Sequence, residues 1–519
     1  MEERRLSAGQ GALFLTVLGA ASQLLGFGYR VALSRLVGAE VMGLYQLIMP
    51  VYSVLLSLTA VGLTAAVSNL TSQHLALGSS RDARQTLRAC LGMFFLLLLP
   101  VGLVLVLASD AVSVRLLGDA RTQLGLILLV PCTALTGVEN LHKHFFYGAG
   151  LVRPPAVVEL LEQLIRTAAV LGLLVCFLPQ YPERAVGLIV GGMVICEVFS
   201  AAALLLLCRR FLRRGLSGPR EPAAVRRRRI AAIALPVGLN ALLGNLMGAA
   251  NAALIPQKLV EGGMTREAAV AQFGVVCGMV LPMLALPTVF LGPLNLVLVP
   301  RLARACALGQ RGETGRLADR AVSAVALLTL PSMALMVVLG PDLGQLLFRR
   351  PDAGEFLLPL AVTMALSCFC SVLGAVLNGV GQQRAVAAVS LLGGGLQLLL
   401  TMALVPLPGV GMAGYVAGSC ASAGLEALLC LHLAVRHAGL RPALFRWLTA
   451  PGLASLLAAL NANLLLRVLK DSGLPTPAAG LACLIFSTVV YLAALHAQGV
   501  SLPRVLPPQR AKKQRPGAP

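Results

Sequence analysis

The chain has 519 residues, of which 57% are hydrophobic and 12% are charged, and its formal net charge is +21. A soluble domain has about 45–50% apolar and about 25% charged residues, so this composition excludes an ordinary soluble protein. The apolar residues come in runs of roughly 20, and each run is long enough to cross a bilayer as a helix.

We predict an all-α integral membrane protein with about fourteen transmembrane helices and no soluble domain. The first apolar run follows Arg4 and Arg5 as in a signal peptide, but it continues to Leu33, which favours a retained span. Helices 1 to 14 are predicted at 11–33, 43–66, 90–107, 124–146, 157–178, 186–207, 230–255, 273–299, 322–339, 356–380, 385–405, 410–433, 448–466 and 478–495.

The positive charge lies in alternate loops. The loop between helices 6 and 7 holds nine arginines, and the loops after helices 2 and 8 and the C-terminal tail are also basic. This pattern predicts a multi-pass protein of the cell membrane with both termini in the cytoplasm. Nucleic-acid binding is not expected, because the basic loops lack interleaved aromatic residues and any recognisable binding module.

Short motifs recur at one offset of 231 residues. Gly43 recurs as Gly274, the Ala-Leu-Gly of 76–78 recurs at 307–309, and the Gly-x-Gly of 148–150 recurs at 379–381. An offset of six helices is even, so each helix and its copy run in the same direction and a parallel repeat is expected. The predicted units are lobes at 1–214 and 230–437, a basic linker at 215–229, helices 13 and 14 at 438–497, and a basic tail at 498–519.

Prolines and small-residue motifs mark places where helices bend or pack. Prolines interrupt the apolar runs at Pro50, Pro236, Pro282 and Pro287. These residues are interpreted either as tolerated kinks or as flexing points for opening one face. GxxxG spacings at Gly187/Gly191, Gly244/Gly248, Gly274/Gly278 and Gly414/Gly418 predict close helix packing.

Arg166 is the strongest candidate for a binding residue within the membrane. It lies about 16 Å along helix 5 from Pro155, near the middle of the bilayer, and shares a helical face with Glu159 and Glu162. Two interpretations stay open. Arg166 and Glu162 form a pair that neutralises itself, or Arg166 offers a guanidinium fork to a phosphate while the glutamates tune it.

Other polar residues within the spans are weaker candidates. Arg30 either snorkels to the outer interface or lines the cavity. Glu139 and Lys143 are four residues apart on helix 4, so we expect them to pair, and Lys143 is a candidate contact for a headgroup.

Two glutamates and two asparagines complete the candidate set. Glu197 and Glu426 are interpreted either as proton carriers for coupling or as protonated packing residues. Asn240 and Asn251 are eleven residues apart on helix 7. They either line the cavity or hydrogen-bond between helices.

The chain contains no sequence pattern typical of an enzyme. A P-loop is missing, so ATP hydrolysis in this chain is not expected. The twelve cysteines show no CxxC spacing and are interpreted as small buried hydrophobic residues, with no disulfide, metal or cofactor.

One block of helix 1 has a familiar sequence: residues 26–38 read Gly-Phe-Gly-Tyr-Arg-Val-Ala-Leu-Ser-Arg-Leu-Val-Gly. Further matching pieces are Gly-Leu-Tyr-Gln at 43–46, Gly-Leu-Thr-Ala-Ala-Val-Ser at 62–68 and Leu-Glu-Gln-Leu-Ile-Arg at 161–166. Together they closely resemble the stage V sporulation protein B group of the polysaccharide transporter family. That family belongs to the multidrug/oligosaccharidyl-lipid/polysaccharide exporter superfamily.

The resemblance implies a two-lobed fold of fourteen helices around a central cavity. It implies flipping of lipid-linked glycans, such as undecaprenyl-pyrophosphate sugars or the peptidoglycan precursor lipid II, and Arg30 and Arg166 match arginines common in the group. We therefore expect a cationic cavity that takes in a pyrophosphate-sugar headgroup while the polyprenyl tail stays in the bilayer. The coupling ion or membrane potential is left open.

Two alternatives predict different chemistry. A cation-coupled multidrug exporter requires acids to dominate the cavity, through Glu159, Glu162, Glu197 and Glu426. A membrane-embedded glycan polymerase or transferase requires essential acids in an outer loop, with Asp110 and Asp119 as the candidates.

Overall fold

The chain is helical throughout the parts that the structure describes. The computed structural model describes residues 8–212, 221–473 and 475–500. Its helices of eight or more residues are α1 (Ala8–Leu56), α2 (Gly62–Ala76), α3 (Ser80–Leu107), α4 (Gln123–Gly148), α5 (Arg153–Phe177), α6 (Ala185–Leu212), α7 (Ala223–Glu261), α8 (Arg266–Phe273), α9 (Leu291–Ala307), α10 (Arg311–Leu343), α11 (Leu357–Gly379), α12 (Gln383–Leu404), α13 (Met412–Ala438), α14 (Ala450–Asp471) and α15 (Thr476–Ala497). The predicted all-α class is confirmed.

Thirteen segments of the described ranges are long and apolar enough to cross a bilayer. The first, Leu18–Ala76, has 59 residues, which is about 88 Å of helix and far exceeds a hydrocarbon core of about 30 Å. It contains predicted helices 1 and 2, and Gly38 interrupts the helical backbone between them with φ 76° and ψ 177°. The chain is therefore an integral membrane protein, and the count of fourteen spans stays a prediction.

Predicted helix 8, at 273–299, is irregular: the candidate span in this region is Arg266–Thr288, and α9 begins after it at Leu291. Three short segments separate α8 from α9: Gly274–Val280 (π-helical), Leu281–Ala285 (α-helical) and Leu286–Thr288 (3₁₀). Pro282 and Pro287 fall in this region, and a proline removes an amide donor from the helical ladder. In contrast, α1 and α7 continue through Pro50 and Pro236.

The sequence repeat corresponds to repeated contacts. A Cβ added to Gly43 would lie 2.1 Å from the Val270 carbonyl oxygen, and one added to Gly274 would lie 2.1 Å from the Ala39 carbonyl oxygen. Residues 43 and 274 differ by 231 positions, and so do residues 39 and 270. The N-terminal half (α1–α6) and the C-terminal half (α7–α13) therefore meet through a reciprocal glycine contact, as expected for halves related by a two-fold axis.

A second pair of contacts repeats within the halves. A Cβ on Gly148 would lie 2.5 Å from the Ser68 carbonyl oxygen, and one on Gly379 would lie 3.2 Å from the Val299 carbonyl oxygen. These positions also differ by 231. The predicted domain boundaries themselves stay predictions, and the linker residues 215–220 and the tail residues 501–519 lie outside the described ranges.

The glycine contact between the halves should be intolerant of a methyl group. We expect Gly274→Ala to lower the midpoint of thermal unfolding in detergent by a few degrees, because overpacking costs about 1–3 kcal/mol and a backbone carbonyl cannot rotate away. Gly248→Ala is the matched control, since a Cβ there meets no atom within 4 Å. Equal unfolding midpoints for the two variants would show that the glycine contact does not contribute to stability.

Candidate substrate-binding cavity

A cavity of about 740 Å³ lies between the two halves and is called the central cavity here. Helices α1, α4, α5 and α6 form one wall, and the 277–286 segment with α11 forms the other. All charged residues of its lining come from the N-terminal half: Arg30, Glu139, Lys143, Glu159, Glu162, Arg166 and Glu197. The C-terminal half contributes uncharged residues such as Cys277, Leu281 and Met364.

Arg166 is held by three neighbours in this wall. Its Nη2 atom donates to Glu162 Oε1 one turn away on α5 and lies 3.3 Å from Glu197 Oε1 on α6. Its Nε atom lies 3.4 Å from Cys196 Sγ. The Glu162–Arg166 pair is therefore present, and a second acid from another helix joins it.

Lys143 does not pair with Glu139, so that prediction is wrong. Lys143 Nζ lies 2.7 Å from Glu159 Oε2 on α5. The side chain of Glu139 turns instead toward α6, where Glu139 Oε2 accepts a hydrogen bond of 3.1 Å from Ser200 Oγ. Spacing along α4 makes the i,i+4 pair geometrically accessible, but the neighbouring helices supply better partners for both side chains.

Three glutamates from α4, α5 and α6 line the central cavity with Arg166 and are called the carboxylate cluster here: Glu139, Glu162 and Glu197. Glu139 and Glu197 are 4% and 2% exposed. Glu197 Oε2 is buried and has no hydrogen-bond partner. Three carboxyl groups therefore share the wall with the Arg166 guanidinium, and Glu162 and Glu197 contact it directly.

Two members of the carboxylate cluster, together with Cys196, resemble a metal site in their donor atoms. Glu162, Cys196 and Glu197 offer ligand atoms within 4.8 Å of one another. However, the Arg166 guanidinium contacts all three of these side chains. A cation is thus already supplied by the protein, and these residues are better suited to hold Arg166 than a metal ion.

Arg30 differs from the other two cations of the central cavity. It lines the cavity and is exposed, whereas Arg166 and Lys143 pair with glutamates. Within the described ranges no carboxylate forms an ion pair with Arg30. Of the two interpretations left open by the sequence, the structure places Arg30 in the cavity lining, with its charge available to a ligand.

The remaining candidates lie outside the central cavity. Asn251 and Glu426 line a separate cavity of about 360 Å³ in the C-terminal half, where Asn251 Oδ1 accepts a hydrogen bond of 2.9 Å from Thr401 Oγ1. Asn240 is exposed and lines neither cavity. The asparagines share a helical face but are about 16 Å apart along α7, so they do not contribute to one site.

The central cavity carries both signs of charge, so the expectation of a cationic cavity stays a prediction. The central cavity has three basic side chains and four glutamates in its lining. If all four glutamates were ionised, the lining would carry one net negative charge. Opposite charges are paired within the wall, and this pairing leaves Arg30 as the available cation among the described lining residues.

Of the two outer-loop acids required by an enzyme, Asp119 is held in an ion pair. Asp119 accepts hydrogen bonds from Arg121, with Nη2 to Oδ2 at 2.8 Å, while Asp110 is exposed. Burial of Asp119 works against its ionisation, but the hydrogen bonds and charge of Arg121 and the charge of Arg266 outweigh burial and lower its pKa. A carboxyl group held ionised in this way is unsuited to act as a general acid.

Comparisons with known proteins agree with this geometry. The chain matches the family described as "Polysaccharide biosynthesis protein" over residues 8–305. It is 25% identical to stage V sporulation protein B of Bacillus subtilis (strain 168) over 435 residues, which cover 82% of each chain. It is 24% identical to the lipid II flippase MurJ of the same organism over 205 residues, covering 38% of this chain and 36% of MurJ.

Two solved structures share the fold. A lipid II flippase MurJ in an inward closed conformation superposes with a TM-score of 0.67 at 12% identity, covering 94% of this chain and 98% of that one. An inward-facing multidrug resistance MATE family transporter of the MOP superfamily gives a TM-score of 0.65 at 15% identity, covering 82% and 99%.

The fold and the cavity between two related halves define a multi-pass membrane protein of the transporter class. Within this class the chain belongs to the polysaccharide biosynthesis protein family, whose match covers more than half of its length. The likeness to stage V sporulation protein B expected from residues 26–38 is thereby confirmed.

Proposed function

We propose that this protein moves lipid-linked glycans, either oligosaccharides or peptidoglycan precursors, across the cytoplasmic membrane by alternating access. The observation that carries the proposal is Arg30, an available cation in a polar cavity between two halves of a transporter fold. A guanidinium offers paired donors that match phosphate oxygens. The curated relatives named for sporulation and for lipid II flipping support the same class of substrate.

An asymmetry around the central cavity supports entry of the lipid from the side. On one side α2 packs tightly on α7, since a Cβ on Gly62 would lie 2.2 Å from the Ala234 carbonyl oxygen. On the other side, Gly19 and Gly28 of α1 and Gly292 of α9 meet no atom within 4 Å. We place the polyprenyl tail between α1 and α9, in lipid, with its pyrophosphate-sugar headgroup in the cavity.

The carboxylate cluster suits a role in coupling. Glu162 and Glu197 hold Arg166 while the cavity is empty, and protonation of either acid would release the guanidinium to a second phosphate oxygen. Arg30 would bind the pyrophosphate first, and Arg166 would join it as the cluster takes up a proton. Glu426 lies in the separate C-terminal cavity, so coupling through it would be indirect.

We infer the orientation of the chain in the membrane from the positions of its arginines. The basic loops after helices 2, 6 and 8 belong on the cytoplasmic side, and both termini are placed there with them. The substrate would therefore enter from the cytoplasmic leaflet, where lipid-linked precursors carry their headgroups before export.

A second candidate function is favoured by one observation. The four glutamates of the central cavity outnumber its three basic side chains, as a cation-coupled exporter of cationic drugs requires. An expressing strain would then show reduced susceptibility to cationic drugs. We expect unchanged susceptibility, because each of these glutamates contacts a cation or a hydrogen-bond donor of the protein itself.

The proposal is tested with purified protein in proteoliposomes. A fluorescent polyprenyl-pyrophosphate sugar, its monophosphate counterpart and a cationic dye are compared, each with and without a proton gradient, a sodium gradient or a membrane potential. We expect faster translocation of the pyrophosphate lipid and dependence on the proton gradient. Transport of the dye with no translocation of either lipid would replace the flippase by the drug exporter.

A further inference from the structure

Two arginines reach across from one half of the protein to the other at equivalent positions. Arg35 lies in α1 and Arg266 opens α8, and their numbers differ by the repeat offset of 231. Each guanidinium donates hydrogen bonds to backbone carbonyls of the opposite half. The donor arginines are therefore at equivalent positions, and their acceptors differ by one or two residues, because Leu117 corresponds to Phe348.

The first contact joins α1 to the C-terminal half. Arg35 Nε donates to the Leu347 carbonyl oxygen at 2.6 Å, and Arg35 Nη2 donates to the Leu346 carbonyl oxygen. These carbonyls belong to the π-helical segment Gly344–Phe348, which ends at Arg349 with φ 55°. Arg349 is the non-glycine residue with positive φ among the described residues, so the backbone turns sharply after the acceptors.

The second contact joins α8 to the N-terminal half. Arg266 Nη2 donates to the Leu117 carbonyl oxygen, directly after the π-helical segment Val112–Leu116. Gly118 follows with φ 75°, at the position equivalent to Arg349. A Cβ on Gly118 would lie 2.2 Å from Arg266 Nη2, so the absence of a side chain makes room for the guanidinium.

The physical basis of both contacts is the same. The last carbonyls of a helix have no partners within the helix and carry partial negative charge. A guanidinium satisfies such carbonyls with charge-assisted hydrogen bonds. The outer turns (112–118 and 344–349) lie in loops 3–4 and 9–10, which the charge pattern places outside the cell. Both contacts therefore join the two halves at the same end of the protein.

We propose that Arg35 and Arg266 form a two-fold-related outer gate, which must release both outer turns before the central cavity opens to the outside. The reciprocal contact of Gly43 and Gly274 lies beside this gate and keeps the halves close enough for the arginines to reach. The gate does not depend on the nature of the substrate, so it can be tested without any substrate present.

Opening of the gate can be measured through the reactivity of a native cysteine. Cys277 lines the central cavity, and a membrane-impermeant thiol reagent added outside sealed, right-side-out vesicles reaches it only when the outer end opens. Modification is read for each cysteine by peptide mass spectrometry. Detergent-permeabilised vesicles give the full extent of modification, and exposed Cys306 at the inner end of α9 should stay unmodified in the sealed vesicles.

We expect Arg35→Gln and Arg266→Gln each to accelerate modification of Cys277 by about tenfold, a change that corresponds to about 1.4 kcal/mol. Gly118→Asn should act like Arg266→Gln, because asparagine tolerates positive φ while its side chain displaces the guanidinium. Arg115→Gln is the matched control, since Arg115 is an exposed arginine of the same outer turn and forms no ion pair with the other half among the described residues. Cys277 in the Arg115→Gln variant should react at the wild-type rate.

The midpoint of thermal unfolding separates gating from misfolding. Acceleration at Cys277 with an unchanged midpoint supports the gate. Wild-type reactivity of Cys277 in folded Arg35→Gln, Arg266→Gln and Gly118→Asn would overturn it. Equal acceleration in Arg115→Gln would also overturn it, because the effect would then follow from loss of charge rather than from loss of the contact.

Discussion

Replacing Arg30 by alanine should lower the rate of lipid-linked glycan translocation by about 100-fold or more. Hydrogen bonds to charged groups are worth about 1.5–3 kcal/mol each, and a guanidinium fork supplies two of them to a phosphate. Because Arg30 forms no ion pair with the described acids, its loss removes a contact to the substrate and leaves no buried carboxylate unpaired.

The measurement for Arg30 is the initial rate in proteoliposomes. Arg30→Lys should give an intermediate rate, since an ammonium keeps the charge but loses the fork. Arg184→Gln serves as the matched control, because Arg184 is an exposed arginine outside the central cavity whose side chain is 60% exposed. A wild-type rate for Arg30→Ala would remove Arg30 from the substrate site.

The main effect of replacing Arg166 should be a lower stability of the folded protein. Arg166→Met leaves Glu162 and Glu197 without their cation, and breaking a buried ion pair on one side costs about 3–5 kcal/mol. The side chains of Glu162 and Glu197 are 10% and 3% exposed, so solvent compensates little. We expect a clearly lower unfolding midpoint in detergent.

A double variant separates the structural role of Arg166 from its proposed role in binding. Arg166→Met with Glu162→Gln removes both members of the pair and should recover most of the lost stability. If the recovered protein still fails to translocate the substrate, Arg166 also serves transport. If the single and double variants are equally unstable, the ion pair is not what holds α5 against α6.

The sequence predicted contacts within helices better than contacts between them. Glu162 and Arg166 are one turn apart, and they do pair. Glu139 and Lys143 have the same spacing, but their partners come from α6 and α5. A single sequence gives each helix a polar face, but it does not give the rotation of one helix against the next, so it could not predict these partners.

The repeat was recognisable wherever the same residue types recur, as at Gly43 and Gly274. It was not recognisable where the residue type differs. Gly118 and Arg349 are equivalent positions, and both have positive φ, but their side chains differ. Arg35 and Arg266 do share residue type and offset, yet only the fold shows that both reach backbone carbonyls in the opposite half.

The break in predicted helix 8 has a similar explanation. Pro282 and Pro287 marked a place where the helix could not be regular. Their number and spacing did not reveal that a π-helical segment and a 3₁₀ turn would interrupt the α-helix. That irregular segment supplies the uncharged wall of the central cavity through Cys277 and Leu281.

Photo-cross-linking gives the most direct test of whether the substrate headgroup enters the central cavity. The probe is a lipid-linked pyrophosphate glycan with a photoreactive group on its first sugar, added to the intact protein in membranes. We predict labelling of peptides that contain 19–30 and 159–166, competed by unlabelled lipid and strongly reduced in Arg30→Ala. Labelling confined to lipid-facing helices such as α14 and α15, with no competition, would contradict the account.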